Sequence, residues 1–130
     1  MNFIDTTFSK FTPQAGAVLR IITGLLFLEH GSAKLLGFPA ANMSPPLFSL
    51  SGVSGVLELA GGLLMVLGLF TRPVAFLLAG EMAVAYFIGH APKGVFPMLN
   101  GGDAAILFCF VFLYFAAAGG GIWSVDAQRA

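Results

Sequence analysis

Four long apolar stretches follow one another along this chain, separated by short segments rich in glycine, proline and asparagine. The stretches run near 15–36, 52–71, 73–91 and 101–119. Each is close to the ~20 residues that an α-helix needs to cross the ~30 Å hydrocarbon layer of a bilayer. Because very short turns join antiparallel neighbours, the pattern predicts an all-α fold, an integral membrane bundle of four antiparallel helices.

Composition strengthens the membrane interpretation. Of the 130 residues, 58% are apolar and only 9% are charged, whereas soluble domains carry about 25% charged residues. The chain shows neither a linker nor a convincing repeat, so residues 1–130 are expected to form a single domain in contact with membrane lipid. The formal net charge is zero and no basic run occurs, which argues against nucleic acid as a partner.

Two segments outside the stretches carry structural signals. Residues 1–14 repeat phenylalanine at roughly helical spacing (Phe3, Phe8 and Phe11). They form either a short amphipathic helix at the membrane interface or a loose terminus. The segment 37–51 is uncharged and rich in proline and serine, which predicts a loop, either at the membrane surface or re-entrant. Ser51 or Ser54 is expected to cap the helix that follows.

The second stretch is dense in glycine, at Gly52, Gly55, Gly61, Gly62 and Gly68. Small residues one turn apart let helix backbones approach closely in a membrane, where van der Waals packing then holds them. Gly61 and Gly62 are therefore interpreted as structural packing positions. The alternative is a glycine-lined groove shaped for a ligand.

Ionisable residues lie inside three of the four stretches: Arg20, Glu29, His30, Lys34, Glu58 and Glu81. Charged groups are costly in lipid, so their presence within a span suggests function. His30 and Lys34 are four residues apart and share a helix face. Glu29 is nine residues from Arg20 and points roughly the opposite way. The first helix therefore faces two neighbours, or one neighbour and a cavity.

Two interpretations of these residues remain open. At ~1.5 Å per residue, Glu58 lies within ~10–12 Å of Arg20 along the membrane normal, so an interhelical Arg20–Glu58 ion pair is predicted. Such pairs can simply lock a bundle together. Alternatively, the ionisable residues line a cavity that binds a small amphipathic molecule or relays protons, with Glu29, His30, Lys34, Glu58 and Glu81 in its walls. The second interpretation suits quinone chemistry and, equally, proton-linked transport.

Other cofactor chemistries have little support in the sequence. His30 has no second histidine or carboxylate three or four residues further on, so no metal site is predicted. Cys109 is the only cysteine, which excludes an intramolecular disulfide and a dithiol pair. The glycines at 119–121 are interpreted as a helix end rather than a nucleotide-binding loop, because no strand precedes them.

Basic residues in short loops predict the orientation in the membrane. One side of the bundle would carry Lys10, Arg72 and Arg129, with Arg20 close by. The other side would carry Lys34 and Lys93. The more basic side is favoured as cytoplasmic, which predicts that both the N-terminus and the C-terminus are cytoplasmic.

Several separated motifs resemble those of the DoxX family, in order, over roughly residues 14–126. The first helix matches in Arg20 and in the segment EHGSAKLLGF (29–38). The second helix and its turn match in ELAGG (58–62) and GLFTR (68–72), and the third helix in EMAVA (81–85). The fourth helix and its ending match in NGGD (100–103) and GGGIWSVD (119–126).

The resemblance implies a small, multi-pass protein of the bacterial inner membrane. It also implies a link to quinone chemistry, with a redox protein partner or a homo-oligomer. We therefore expect a quinone-linked oxidoreductase component, with His30 and Glu58 as catalytic candidates and Arg20 or Lys34 beside the quinone oxygen. Arg72 is the remaining polar position that matches the family pattern and is taken as structural. Two alternatives stay open, a non-enzymatic scaffold or assembly subunit and a small proton-linked transporter.

Overall fold

The computed structural model describes residues 2–40 and 47–130. Within these ranges every regular element is helical, which confirms the all-α prediction. In chain order the α-helices are α1 (Phe3–Ser9), α2 (Thr12–Leu36), α3 (Leu50–Leu67), α4 (Thr71–Gly89), α5 (Pro97–Asn100), α6 (Asp103–Ala118) and α7 (Val125–Arg129). A short 3-10 turn, Ala91–Lys93, follows α4.

The described helices support two or three of the four predicted membrane spans. By length and apolar composition, α3 and the segment Thr71–Lys93 can each cross a membrane. A third span results if α1 and α2, which meet at a bend of 52°, are counted together. The helix α6 is apolar but has only 16 residues, so it covers ~24 Å by itself. The four-span prediction is therefore only partly confirmed.

The start of α3 differs from the prediction. Ser49 caps this helix, and its hydroxyl accepts a hydrogen bond from the Gly52 N–H at 3.1 Å. The predicted cap at Ser51 or Ser54 is therefore wrong, and Ser54 lies one turn inside the helix. The preceding loop was predicted over 37–51, of which residues 41–46 lie outside the described part of the chain.

Glycines bring α2 and α3 into direct backbone contact. A Cβ atom at Gly31 would lie 2.3 Å from the Leu59 amide nitrogen. At Gly62 the corresponding distance, to the Leu28 amide nitrogen, is 2.6 Å. Real Cβ contacts are longer than this, and the opposing atoms belong to backbone that cannot rotate away. Gly61 faces α4 instead, where a Cβ would lie 2.7 Å from a methyl group of Leu78.

The helices form two close pairs. The first is α2 with α3, and the second is α4 with α6, whereas α3 and α4 pack together far less closely although they are consecutive. Buried apolar side chains from all four helices meet between the pairs: Phe27, Met65, Leu78, Phe112 and Phe115. The rings of Phe27 and Phe112 lie edge to face, with centroids 4.9 Å apart, an orientation that aromatic pairs favour.

Arg20 on α2 is completely buried and binds backbone carbonyls rather than a carboxylate. It donates hydrogen bonds to the carbonyls of Met65 (3.0 Å), Ile122 (3.2 Å), Trp123 (2.6 Å) and Gly120. Carbonyls at helix ends and in irregular segments lack helical N–H partners, so they are available as acceptors. The predicted Arg20–Glu58 pair is therefore wrong, and Glu58 pairs with Lys34.

Asp126 holds the C-terminal segment against the start of α4. Its carboxylate accepts hydrogen bonds from the N–H groups of Phe70 and Thr71, both at 2.9 Å. Burial raises the pKa of Asp126, but these hydrogen bonds and the charge of Arg129 outweigh burial. The pKa therefore lies below its usual value, and the ionised carboxylate serves as the N-terminal cap of α4.

Arg72 fastens the same segment from the other side. Its guanidinium donates hydrogen bonds to the carbonyls of Ala117 and, at 3.5 Å, Ala118, which end α6. The next residue is Gly119, where a Cβ would lie 3.1 Å from a guanidinium nitrogen of Arg72. The glycine-rich ending of the chain thus makes room for arginine at the helix terminus.

Candidate ligand-binding site

An ionic cluster lies where α2, α3 and α4 approach one another. The ammonium group of Lys34 is 3.0 Å from Oε1 and 2.9 Å from Oε2 of Glu58. It also donates a hydrogen bond to the Ser54 hydroxyl at 3.1 Å. The Ser54 hydroxyl in turn donates to Oε1 of Glu81 at 2.8 Å. We refer to Lys34, Ser54, Glu58 and Glu81 as the Lys34 cluster.

Local helix geometry explains why these side chains meet. Ser54 and Glu58 are four residues apart on α3 and therefore share one face. Lys34 lies in the last turn of α2, and its aliphatic stem passes Gly55, where a Cβ would lie only 3.0 Å from the Lys34 Cβ. The side chain of Glu58 is 4% exposed and that of Lys34 is 19% exposed, so the pair is largely shielded from its surroundings.

The cluster holds two carboxyl groups and one ammonium group. A serine hydroxyl carries one proton, and the shorter of its two contacts runs to Glu81 rather than to Glu58, which is 3.2 Å away. The second oxygen of Glu58 faces the ammonium, whereas the second oxygen of Glu81 is buried and has no hydrogen-bond partner among the described residues. A buried carboxylate oxygen without a partner is costly. Glu81 is therefore the less well compensated of the two carboxyl groups of the cluster.

Two small polar cavities flank the Lys34 cluster. The first, of about 190 Å³, is lined by His30, Lys34, Glu58 and His90 together with aromatic and small side chains. The second, of about 270 Å³, shares Lys34 and His90 with the first. It also reaches the Ser54 and Glu81 side chains. The cluster is therefore open to small polar groups from two directions.

A third and larger cavity adjoins the second. It has a volume of about 460 Å³ and shares Ser54 and Glu81 with the second cavity. Its other walls are apolar side chains and one glycine of α3 and α4: Leu50, Val53, Leu57, Phe76, Leu77, Gly80 and Val84. We call it the α3–α4 groove. The three cavities together lead from the histidines, past the ionic cluster, to an apolar surface.

His90 is held in a defined orientation at the polar end. Its Nδ1 lies 3.1 Å from the Asn100 carbonyl oxygen. A carbonyl can only accept, so Nδ1 carries the proton and Nε2 is the acceptor of the neutral ring. Asn100 is buried, and its side-chain amide donates to the Tyr86 hydroxyl at 3.2 Å and to the Gly94 carbonyl at 3.0 Å. The loop after α4 therefore positions the histidine.

The structure brings together four of the six predicted ligand-binding residues. Lys34, Glu58 and Glu81 form the cluster, and His30 lines the first cavity, where its ring lies 6.3 Å from that of Phe108. Arg20 is committed to backbone carbonyls near the C-terminal segment. Glu29 is exposed, and no hydrogen bond or ion pair joins it to the cluster within the described ranges.

Two residues of the site were not predicted from the sequence. Ser54 was interpreted only as a helix cap, although its spacing of four residues from Glu58 was available as a signal. His90 lies at a helix end, where the sequence favours an interfacial position, and only the fold shows that it lines the cavities. Within residues 2–40 and 47–130, no group of three or more histidine, cysteine or acidic residues is arranged to hold a metal ion.

The apolar helices and their buried ionic cluster define a helical membrane protein with an ionisable interior. The family model DoxX matches residues 15–91, more than half of the chain. The chain therefore belongs to the DoxX family, which confirms the resemblance seen in its motifs. The matched segment contains most of α2 and all of α3 and α4, and thus the whole Lys34 cluster.

Two relatives extend the similarity to nearly the full length. A Haemophilus influenzae protein described as uncharacterised is 43% identical over 126 residues, covering 90% of this chain and 92% of that protein. The inner membrane protein YphA of Escherichia coli is 29% identical over 132 residues, covering 93% of this chain and 94% of that protein. No solved structure matches the chain.

The two carboxyl groups of the cluster should respond differently to neutralisation. We expect Glu58→Gln to lower stability by about 3 kcal/mol, because it leaves the largely shielded Lys34 ammonium without its charged partner. Glu81→Gln should change stability by less than about 1 kcal/mol, because the amide can still bond to the Ser54 hydroxyl. Unfolding of both variants in the same detergent would measure the difference. Equal losses would contradict the assignment of the ion pair to Glu58.

Proposed function

We propose that this protein is a component of a quinone-linked redox system in the bacterial inner membrane and binds the quinone head group at the Lys34 cluster. The name of the E. coli relative supports the inner-membrane location. In this proposal α2, α3, α4 and α6 cross the membrane as an antiparallel bundle with both termini in the cytoplasm. The supporting observation is the row of adjoining cavities lined by the Lys34 ammonium, carboxyl groups and histidines at one end and by an apolar groove at the other.

The cavities fit such a ligand in size and polarity. Each of the two polar cavities is smaller than the ~300–1,000 Å³ of drug-sized ligand pockets, so each accommodates a single ring. When bound, a quinone supplies two-electron, two-proton carrier chemistry. The chain has one cysteine and therefore no dithiol, so a partner redox protein would supply the electrons.

The residues of the site have distinct tasks in this proposal. Lys34 donates a hydrogen bond to a carbonyl oxygen and places positive charge where negative charge would develop. Glu58 keeps Lys34 in position. Glu81 holds a proton, and His30 and His90 exchange protons at the wall of the first cavity. His30 thus remains the catalytic candidate, whereas Glu58 acts through Lys34.

Quinone titration of the purified protein tests the proposal. We expect Lys34→Met to weaken binding of a decyl-benzoquinone by about 10- to 100-fold, the worth of a hydrogen bond to a charged group. Lys93→Met, which removes an exposed lysine from the 3-10 turn, should bind like the wild type. Isothermal titration calorimetry in one detergent compares the three proteins. Absence of binding to the wild type would overturn the proposal.

Glu81, the carboxyl group of the cluster that does not pair with Lys34, supports a second candidate function, proton-linked transport by an oligomer. A carboxyl that gains and loses a proton beside a cavity is the part that such a transporter needs. Substrate flux in liposomes that falls in Glu81→Gln would favour this candidate. If other membrane proteins co-purify with this protein, and Lys34→Met does not change their co-purification, the scaffold alternative would be favoured.

A further inference from the structure

The α3–α4 groove connects the Lys34 cluster, through Ser54 and Glu81, to an exposed apolar surface. Consecutive helices joined by a turn as short as residues 68–70 usually pack along their length, yet α3 and α4 do so far less than α2 with α3 or α4 with α6. The Ser54–Glu81 hydrogen bond crosses from α3 to α4. The groove therefore lies along a loosely packed seam between two consecutive helices, beside the Glu81 carboxyl group.

The walls of the groove suit a hydrocarbon chain. Seven of its nine lining residues are apolar or glycine, and the two polar ones, Ser54 and Glu81, also line the second cavity. Phe76 and Leu77 are 68% and 55% exposed along it. An occupant that fills both spaces needs a hydrogen-bonding head and an apolar chain attached to it.

Gly80 leaves the floor of the groove open. A Cβ at this position would meet no atom within 4 Å, so no contact between helices requires a glycine here. In a helix interior, glycine is less favourable than alanine by about 1 kcal/mol. Glycine at position 80 therefore lowers the stability of the helix without allowing a closer helix contact. It keeps the groove wide next to Glu81.

We infer that the chain of the ligand lies in the α3–α4 groove and that the ligand enters sideways from the bilayer between these helices. This inference rests on the proposed function and names the substrate class more closely, as a quinone carrying an isoprenoid or alkyl chain. Lipid is as apolar as the groove, so the chain gains little free energy by entering it. The groove instead holds the chain by its shape, so a side chain that fills the groove clashes with the chain of the bound quinone while the ring still fits.

Gly80→Leu tests the inference about the groove. The Cβ of the leucine meets no atom within 4 Å and leucine favours the helix, so the variant should fold. Its side chain occupies the groove, so the variant should bind a decyl-benzoquinone about tenfold more weakly. A chainless dimethoxy-methyl-benzoquinone should bind it as it binds the wild type. Gly16→Leu is the matched control, because Gly16 also meets no atom within 4 Å and lies on α2, away from the groove.

The outcomes separate the two proposals. Selective loss of the decyl compound in Gly80→Leu supports the inference about the groove. If Gly80→Leu binds each compound as tightly as the wild type does, while Lys34→Met still binds weakly, the inference about the groove is wrong and the proposed quinone site is retained. Equal loss of both compounds in Gly80→Leu also overturns the inference about the groove, because the substitution would then act on the head-group site. Failure of the wild type to bind either compound overturns both proposals.

Discussion

Gly31→Ala should be among the most damaging single substitutions in this protein. The added methyl group would lie 2.3 Å from the Leu59 amide nitrogen and 2.8 Å from the Glu58 carbonyl carbon. Both are backbone atoms of α3, so relief requires the two helices to separate. We expect a loss of about 3 kcal/mol, at the upper end of overpacking effects. Detergent-induced or thermal unfolding of the purified protein would measure it.

Gly16→Ala is the control for this substitution. It makes the same chemical change in the same helix, at a position with no atom within 4 Å. It should leave stability unchanged or raise it by up to about 1 kcal/mol, because alanine favours the helix. Quinone affinity should fall only in Gly31→Ala, since moving α3 draws Glu58 away from Lys34. A Gly31→Ala protein as stable as the wild type would show that α2 and α3 do not pack in this way.

Arg20→Lys should also be strongly destabilising although it conserves the charge. Arginine reaches the carbonyl of Met65 and those of residues 120–123 at the same time, because its planar group carries five N–H donors. The single ammonium of lysine cannot span both sets. Lysine would lose one or two of these buried or partly buried hydrogen bonds from a charged group, and we expect a loss of about 3 kcal/mol.

The C-terminal segment should report the effect of Arg20→Lys directly. Amide hydrogen exchange in 119–126 should accelerate well before the helices α2 and α3 unfold. Arg129→Lys serves as the control, because Arg129 is exposed on α7, where its guanidinium lies 5.1 Å from the centre of the Phe70 ring, and lysine keeps the positive charge that acts on Asp126. It should cost no more than about 1 kcal/mol. Unchanged exchange in Arg20→Lys would contradict the role given to its hydrogen bonds.

The error over Arg20 shows what helix periodicity leaves out. The sequence places Arg20 and Glu58 at nearby depths, because rise per residue is a local property of the helix. Their side chains nevertheless point to different partners, since rotation about the helix axis depends on which faces pack. Gly31 and Gly62 set that rotation by backbone contact with α3 and α2 respectively. Carbonyl acceptors in 120–123 could not be predicted either, because that segment is irregular.

The candidate site contains two residues, Ser54 and His90, that sequence patterns alone do not mark as part of it. Charge in an apolar stretch marks Lys34, Glu58 and Glu81 as residues of interest wherever the helices lie. A serine or a histidine near a helix end carries no such signal, because caps and interfaces are its common uses. Their part in the site comes from Glu81 on α4 meeting Ser54 on α3, and from Asn100 orienting His90.

The sequence by itself determined that the chain is helical and apolar, that it resembles the DoxX family, and that ionisable side chains lie within its spans. These properties follow from composition and from spacing within one helix, which local residue order controls. Only the tertiary structure decided that Lys34 pairs with Glu58, that the second oxygen of Glu81 is buried without a hydrogen-bond partner among the described residues, and that a groove opens between α3 and α4. Those outcomes depend on how helices far apart in the chain rotate and approach, and steric contact at a few glycines sets that approach.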